Sequence, residues 1–260
     1  MLRANRLAEQ GSQLSTWLLG EYGSQLRQLS GTVKARHEFN RRIGEYLDRS
    51  TPDMPRQAKF IRRFGDAYQK LGMSLGGESY SSLGSSTAAV PLIDRAIELF
   101  DQALEIEPDD VTSMNLKINA LISRAEIQSV LGKTGEAAES LRRARARFDA
   151  ITNDRSSDHR LLRISLMQAE YAQLQADQNL REALQKLADL EAAIELGPEE
   201  PLLVEETLHQ KIWVLRQRGR VLRESGETET AEAALQQALE LAKSPYEADP
   251  DNPILLERYA

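Results

Sequence analysis

The stretch GMSLGGES, Gly72 to Ser79, has the glycine density of a loop that wraps a phosphate. Glu78, however, stands where such a loop needs a lysine to reach the phosphate oxygens, so the segment reads as a connecting loop. The three histidines, His37, His159 and His209, are far apart, and none has a second ligand-type residue at metal-binding spacing. They read as solvated or structural, and neither a metal nor another cofactor is expected. The acidic pairs Glu199–Glu200 and Glu205–Glu206 resemble a general acid and base in composition only. They open a helix, where carboxylates are stabilised by the positive end of the helix dipole. The chain has no cysteine, which removes thiolate nucleophiles, thiolate metal sites and disulfides together. With no catalytic constellation left, the chain is not expected to be an enzyme. The remaining reactive groups are cationic. Arg142, Arg143, Arg145 and Arg147 in LRRARARF read as a solvated helix face, and Lys211, Arg216, Arg218, Arg220 and Arg223 gather toward the end of a later helix.

The elements that carry these groups are helical. Hydrophobic residues make up 41% of the 260 and charged residues 28%, with only 9 Pro and 15 Gly. Ala, Leu, Glu, Gln and Arg dominate, so residue choice favours helix and a folded, core-bearing chain. A net charge of −7 argues against nucleic acid as partner, since that binding neutralises phosphates with Lys and Arg. No window approaches a membrane span in length, and the charged N-terminus MLRANRLAEQGSQL does not read as a signal peptide.

Leu7, Leu14, Leu18, Tyr22, Leu26 and Leu29 fall on one helical face, predicting a helix over residues 2–29. A second is predicted over 32–49, with Ala35, Phe39, Ile43, Tyr46 and Leu47 inward and Arg41 and Arg42 outward, closed by Pro52 and Pro55. A third is predicted over 54–73, built on Phe60, Ile61, Phe64, Tyr68 and Leu71 and stopped by the Gly/Ser-rich stretch after it. Beyond that stretch, helices are predicted over 88–107, 110–131, 134–151, 158–176, 179–196, 199–225 and 227–243. Pro108, Gly132, Gly135, Gly197, Pro198 and Gly226 mark their junctions.

The helices repeat in pairs. Phe64-Gly65, Tyr68 and Gly72 are followed by Ala96, Phe100, Ala103, Leu104 and Pro108. Leu121 and Ala125 precede Gly132, then Ala137, Leu141 and Ala144. Leu215, Gly219 and Leu222 precede Gly226, then Ala231, Leu235, Ala238 and Leu239. A weaker copy places Tyr171 and Leu174 before Ala183 and Leu187. Small residues suit a close helix crossing and large ones fill the space between hairpins. This order resembles the tetratricopeptide repeat (TPR), which implies an all-α fold of TPR-like helical hairpins forming a right-handed α-solenoid. Residues 53–260 would hold about four repeats with a Gly/Ser-rich insertion at 73–87, and residues 1–52 an N-terminal hairpin packed on the array. The alanines Ala96, Ala137, Ala183 and Ala231 are 41, 46 and 48 residues apart, so the repeats are stretched beyond the usual 34 or so.

Residues 24–150 further resemble bacterial eukaryotic-like Ser/Thr protein kinases, in the region C-terminal to the kinase domain. That resemblance rests on Gly31, Arg36, Tyr46-Leu47, Tyr68, Leu71-Gly72 and Leu83-Gly84. No kinase motif is present, so it implies a sensing or docking part of a bacterial signalling protein, cytoplasmic or periplasmic. The repeat resemblance implies binding of a protein or peptide in a groove lined by first helices. The groove positions carry Lys59, Arg62, Asp66 and Lys70 in the first repeat and Trp213, Arg216, Arg220 and Arg223 in the last. An aromatic beside arginines suits an acidic or carboxylate-ended peptide. The two-carboxylate clamp of chaperone-binding members needs a lysine and asparagines where this chain has Arg62, Asp66 and Glu126. Two other roles stay open on sequence grounds: a small-molecule-binding regulatory domain, and a self-associating element that forms a homodimer through the N-terminal helix.

Overall fold

The computed structural model of the chain describes residues 33–76, 84–151, 156–195 and 204–248. Among these residues are nine α-helices and no strand: α1 Val33–Ser50, α2 Ala58–Gly76, α3 Ser86–Ile106, α4 Val111–Val130, α5 Thr134–Asp149, α6 Ser157–Ala176, α7 Leu180–Glu195, α8 Val204–Glu224 and α9 Thr228–Ala248. The helix expected over residues 2–29 lies outside the described residues. Two compact units divide the chain, Met1–Ala169 and Glu170–Ala260, and their boundary falls within α6.

In the first unit, α1 buries Asn40, Ile43 and Leu47, spaced as one helical stripe, while Arg41 and Arg42 face out and pair with Glu38. Ala35 and Tyr46, expected inward, are both exposed. At about 100° per residue they sit about 90–115° round the helix from the centre of the buried stripe, away from α2. Helix α2 starts at Ala58 rather than Met54, because a residue before proline is kept out of the helical region and Pro55 imposes this on Met54. It also runs three residues past its expected end, through Gly76. The glycines of the presumed connecting loop are thus partly helical: a Cβ on Gly76 would stand 2.5 Å from the Ser86 Cα, so α3 passes it backbone to backbone.

The hairpins α2/α3, α4/α5 and α8/α9 are the closely packed pairs among the described helices. Their crossings show why small residues recur. A Cβ on Gly65 would meet the Phe100 ring at 2.7 Å, and one on Gly219 would meet Leu235 Cγ at 2.6 Å; Ala125 holds the equivalent place in α4. The alanines expected to be equivalent do share one environment, since Ala96, Ala137 and Ala183 are 0% exposed and Ala231 is 1% exposed. Helices of 16 to 21 residues from α2 onward absorb the stretched repeat length.

The turns inside the last three hairpins are built alike. Lys133 N donates to Gln128 O at 2.8 Å, Asn179 N to Leu174 O at 2.9 Å and Glu227 N to Leu222 O at 2.9 Å. This bond over five residues closes each first helix around a left-handed residue. That residue is Gly132 (φ 72°), Gln178 (φ 56°) or Gly226 (φ 84°). Only glycine adopts this conformation without steric cost, so the third hairpin carries strain at Gln178 that its neighbours avoid.

The core of the first unit runs continuously from Ile43 and Leu47 through Phe64, Tyr68, Ile93 and Phe100 to Leu121, Phe148 and Leu166. Polar groups set the junction between hairpins. Asp110 caps α4 by accepting from Thr112 N at 3.1 Å, and its other oxygen accepts from Ser113 Oγ at 2.6 Å and from Arg62 Nη1 at 2.5 Å. Burial opposes ionisation of Asp110, but the hydrogen bonds from Ser113 and Arg62 outweigh it and hold the carboxyl below its usual range. In the fourth core position, where the first repeat has Tyr68, α4 has buried Gln128, which accepts from Ser140 Oγ at 2.8 Å and donates to Glu136 at 3.1 Å. In the second unit, Ile212 and Leu215 of α8 pack on Ala238 and Ala242 of α9.

Three outcomes follow for denaturation experiments. Gly65→Val drives a branched side chain into the buried Phe100 ring and lowers the unfolding free energy by about 2–3 kcal/mol. Gln178→Gly relieves the left-handed strain and raises stability by about 0.5–1 kcal/mol, whereas Gly226→Ala lowers it by a similar amount. Asp110→Asn keeps the cap but loses the pairing with Arg62, costing about 1 kcal/mol at neutral pH. Because the native carboxyl is held low, its stabilisation is present above the ordinary carboxylate range and lost as pH falls through the native value. The gap between wild type and Asp110→Asn therefore closes in acid urea titrations below about pH 4.

Candidate binding surface

Trp213, Arg216, Arg220 and Arg223 are three, four and three residues apart, so α8 presents them along one face within the second unit. Trp213 is half-buried and meets Tyr171 edge to face, with ring centroids 5.6 Å apart at 81°. Tyr171 is among the largest fully buried side chains of the protein, at 1% exposure. Its hydroxyl donates to Gln217 Oε1 at 3.4 Å and accepts from Arg220 Nη2 at 3.3 Å. The same Arg220 nitrogen donates to Gln175 Oε1 at 2.7 Å. Burial pushes the Tyr171 phenol above its ordinary pKa, with Arg220 pulling the other way, so the hydroxyl is neutral and keeps its proton for Gln217.

The basic residues of α8 divide into two sets. Lys211 reaches Glu195 at 3.9 Å and Arg218 reaches Glu191 at 3.1 Å, both on α7, where they tie the two helices together. Arg216 and Arg223 are exposed and form no ion pair among the described residues. Arg220 lies between them, held by neutral acceptors instead of a carboxylate. It forms no ion pair among the described residues, though the Glu224 carboxylate lies close enough to act on the Tyr171 hydroxyl that Arg220 holds.

In the first unit the expected groove residues are arranged differently. Lys59 is exposed at the start of α2. Arg62 is committed to Asp110, and Asp66 accepts from Lys70 Nζ at 2.7 Å. These side chains are largely spent on one another and on the neighbouring hairpin, so the free cations of the predicted groove are concentrated on α8.

Tyr171 and Gln175 were not singled out as site residues on sequence grounds. A signal was present. Tyr171 occupies the place held by Gly65, Ala125 and Gly219 in the other hairpins, where a bulky residue breaks the packing rule. The other candidate groups have structural roles. His159 stacks on Phe148, with centroids 4.3 Å apart and planes at 4°, and its Nδ1 lies 3.4 Å from Asn115 Oδ1. Arg142 pairs with Glu139 at 2.6 Å, and Arg145 lies over the Phe148 ring. Among the described residues no three His, Cys, Asp or Glu side chains converge as a metal site, and no helix is long and apolar enough to cross a membrane.

Comparison with known proteins agrees with this architecture. Residues 217–245 match the family model of the tetratricopeptide repeat. No curated protein matches the chain. Among solved structures, the TPR-like repeats of a kinesin light chain from Podosopora anserina are similar, with a TM-score of 0.52 and 16% identity, over 96% of this chain and 99% of that one. BtubC (BKLC) from P. vanneervenii is similar too, with a TM-score of 0.51 and 16% identity, over 96% of this chain and 94% of that one. Likeness at this identity concerns fold. On the sequence match and the turn geometry, residues 217–245, from the end of α8 through most of α9, match a tetratricopeptide repeat, and the described residues form an all-α helical-repeat fold like those of the two solved structures.

Proposed function

We propose that this chain is a non-catalytic interaction module that holds an acidic protein segment against its first-helix faces. Trp213, Arg216, Arg220 and Arg223 of the second unit would carry the affinity, and Lys59, Arg62 and Asp66 are a separate, largely self-paired candidate face on the first unit. Tetratricopeptide repeats generally mediate protein–protein contact, which supports the class of function. The observation that carries the finer reading is the local excess of unpaired positive charge on α8 in a chain of net charge −7. Most other described cations have a carboxylate or a structural contact within reach, whereas Arg216 and Arg223 have none there. Guanidinium groups beside an indole favour carboxylate-bearing peptides, since arginine and tryptophan dominate binding hot spots. The resemblance of residues 24–150 to the regions that follow bacterial Ser/Thr kinase domains supports a place as the sensing or docking part of a signalling protein.

A second reading, a small-molecule regulator, draws support from one feature. A cavity of about 820 Å³ opens in the first unit between α1, the turn after it, α2 and α3, lined by Asp48, Thr51, Arg56, Tyr68, Arg95 and Glu105 among others. Its volume falls in the range of ligand pockets. Tyr68 is pushed up to about 12 by burial, and its hydroxyl donates to Asp48 at 2.8 Å, so these two polar groups of the wall are spent on each other. That favours the peptide reading.

Fluorescence anisotropy with a labelled octapeptide of alternating Asp and Gly tests the proposal. The full chain is expected to bind it and to release it as salt is raised, while an octapeptide of alternating Lys and Gly does not bind. Arg216→Glu combined with Arg223→Glu should weaken binding by about a hundredfold, because each exchange replaces attraction with repulsion. Equal affinity in the double variant would refute the proposed surface.

A further inference from the structure

We infer that Tyr171 and Gln175 are positioning residues that lock the Arg220 guanidinium, so that α8 offers a carboxylate-bearing peptide one preset cation flanked by two mobile ones. This inference rests on the α8 surface being the binding face, and it names what sets the geometry of that face.

The argument begins from a misfit. Three hairpins place Gly65, Ala125 or Gly219 where the two helices cross closely, and the third places Tyr171 there. A phenol at that position cannot serve close packing of α6 on α7. It is directed to α8 instead, against Trp213, with its hydroxyl between Gln217 and Arg220. A second departure lies seven residues on, where Gln178 takes the left-handed conformation that glycine takes in the equivalent turns. Departures from local rules persist where the surrounding structure uses them. Both belong to the hairpin that supplies the two acceptors of Arg220.

The hydrogen bonds are suited to positioning and not to neutralisation. Tyr171 Oη and Gln175 Oε1 both accept from Nη2 of Arg220, at 3.3 and 2.7 Å, which consumes the hydrogens of that nitrogen and leaves those of Nε and Nη1. Neither acceptor is charged. A carboxylate there would cancel the cation, whereas a phenol and an amide fix its orientation and leave its charge for a partner. Arg218, two residues away, shows the contrast, being paired with Glu191. Immobilising a long side chain before binding removes part of the entropy cost that the partner would otherwise bear. Arg216 and Arg223 lack such holders and adapt to the ligand. Along the helix the three guanidinium-bearing residues rise about 6 Å and then about 4.5 Å. Carboxylates on alternate residues of an extended strand recur about every 7 Å, a wider spacing that the long, unheld Arg216 and Arg223 side chains would bridge.

Two measurements on the full chain test this. The first needs no ligand: NMR of the Arg220 side chain, assigned with Arg220→Lys. In the wild type the two Nη groups should give separate signals because rotation about the Nε–Cζ bond is hindered. In Tyr171→Phe with Gln175→Leu they should merge. The second is anisotropy with the Asp-Gly octapeptide, where the same double variant should bind about tenfold more weakly at unchanged helical circular dichroism. Merged Nη signals in the wild type, or separate ones persisting in the double variant, would overturn the inference whatever the octapeptide does. Wild-type affinity in the double variant, together with lost binding in Arg216→Glu/Arg223→Glu, would overturn it while leaving the proposed surface intact. Loss of neither would reject the surface and with it the role inferred for the lock, leaving only the hydrogen bonds of Arg220.

Discussion

Two helices can cross with their backbones nearly touching only where one of them has almost no side chain, and most of the hairpins here depend on that condition. Gly65 lies under the Phe100 ring and Gly219 under Leu235, each too close for a β-carbon. Once that contact is made, Phe100 and Ala96 are buried completely, and the apolar stripes of both helices are aligned for the next hairpin. The left-handed turns at Gly132 and Gly226 serve the same end, since each returns the chain sharply enough for the second helix to lie against the first. Contact this close at the crossings leaves little freedom in how the first helices are presented.

The third hairpin departs from this condition. With Tyr171 at the crossing, the side chain that would have separated α6 from α7 becomes a bridge to α8. Polar contacts then join these helices: Lys186 of α7 donates to Glu170 of α6 at 3.0 Å, and Arg218 of α8 to Glu191 of α7. The weakest of the four sequence copies therefore has specific polar contacts at the place where the others have only close packing. A departure from the repeat pattern and a candidate function coincide at the same residues.

Much of the fold was legible from spacing. The positions of Phe64, Gly65, Ala96 and Phe100 follow a packing rule that depends only on side-chain size, so periodicity exposes them directly. Helix limits were less legible where backbone sterics decide. Pro55 delays the start of α2, and Gly76, which reads as a loop residue, is helical because α3 crosses it. Ala35 and Tyr46 were expected inward because they are apolar, yet the buried stripe of α1 is centred elsewhere and includes the polar Asn40, which donates to Ser74 at 2.9 Å. The binding face was half legible. Helical spacing puts Trp213, Arg216, Arg220 and Arg223 together, but no local pattern shows that Arg62 is consumed by Asp110, 48 residues away. Long-range polar pairing leaves no period in a sequence. The link from Gln175 to Arg220 is hidden for the same reason, whereas Tyr171 shows in the sequence only as a bulky residue at a crossing position.

The bond between Arg62 and Asp110 joins the first helix of one hairpin to the cap of the next one's first helix. Stability in repeat arrays is a sum of unit terms and nearest-neighbour terms, and most neighbour terms are diffuse apolar contact. Here directed ion pairs add to it: Arg62 with Asp110, which is hydrogen-bonded also to Ser113, and Asp94 and Asp101 of α3 with Arg124 and Lys117 of α4. Because such coupling is reciprocal, each of the first two hairpins stabilises the other through directed polar contacts, which fix the angle of approach in a way that apolar contact alone does not.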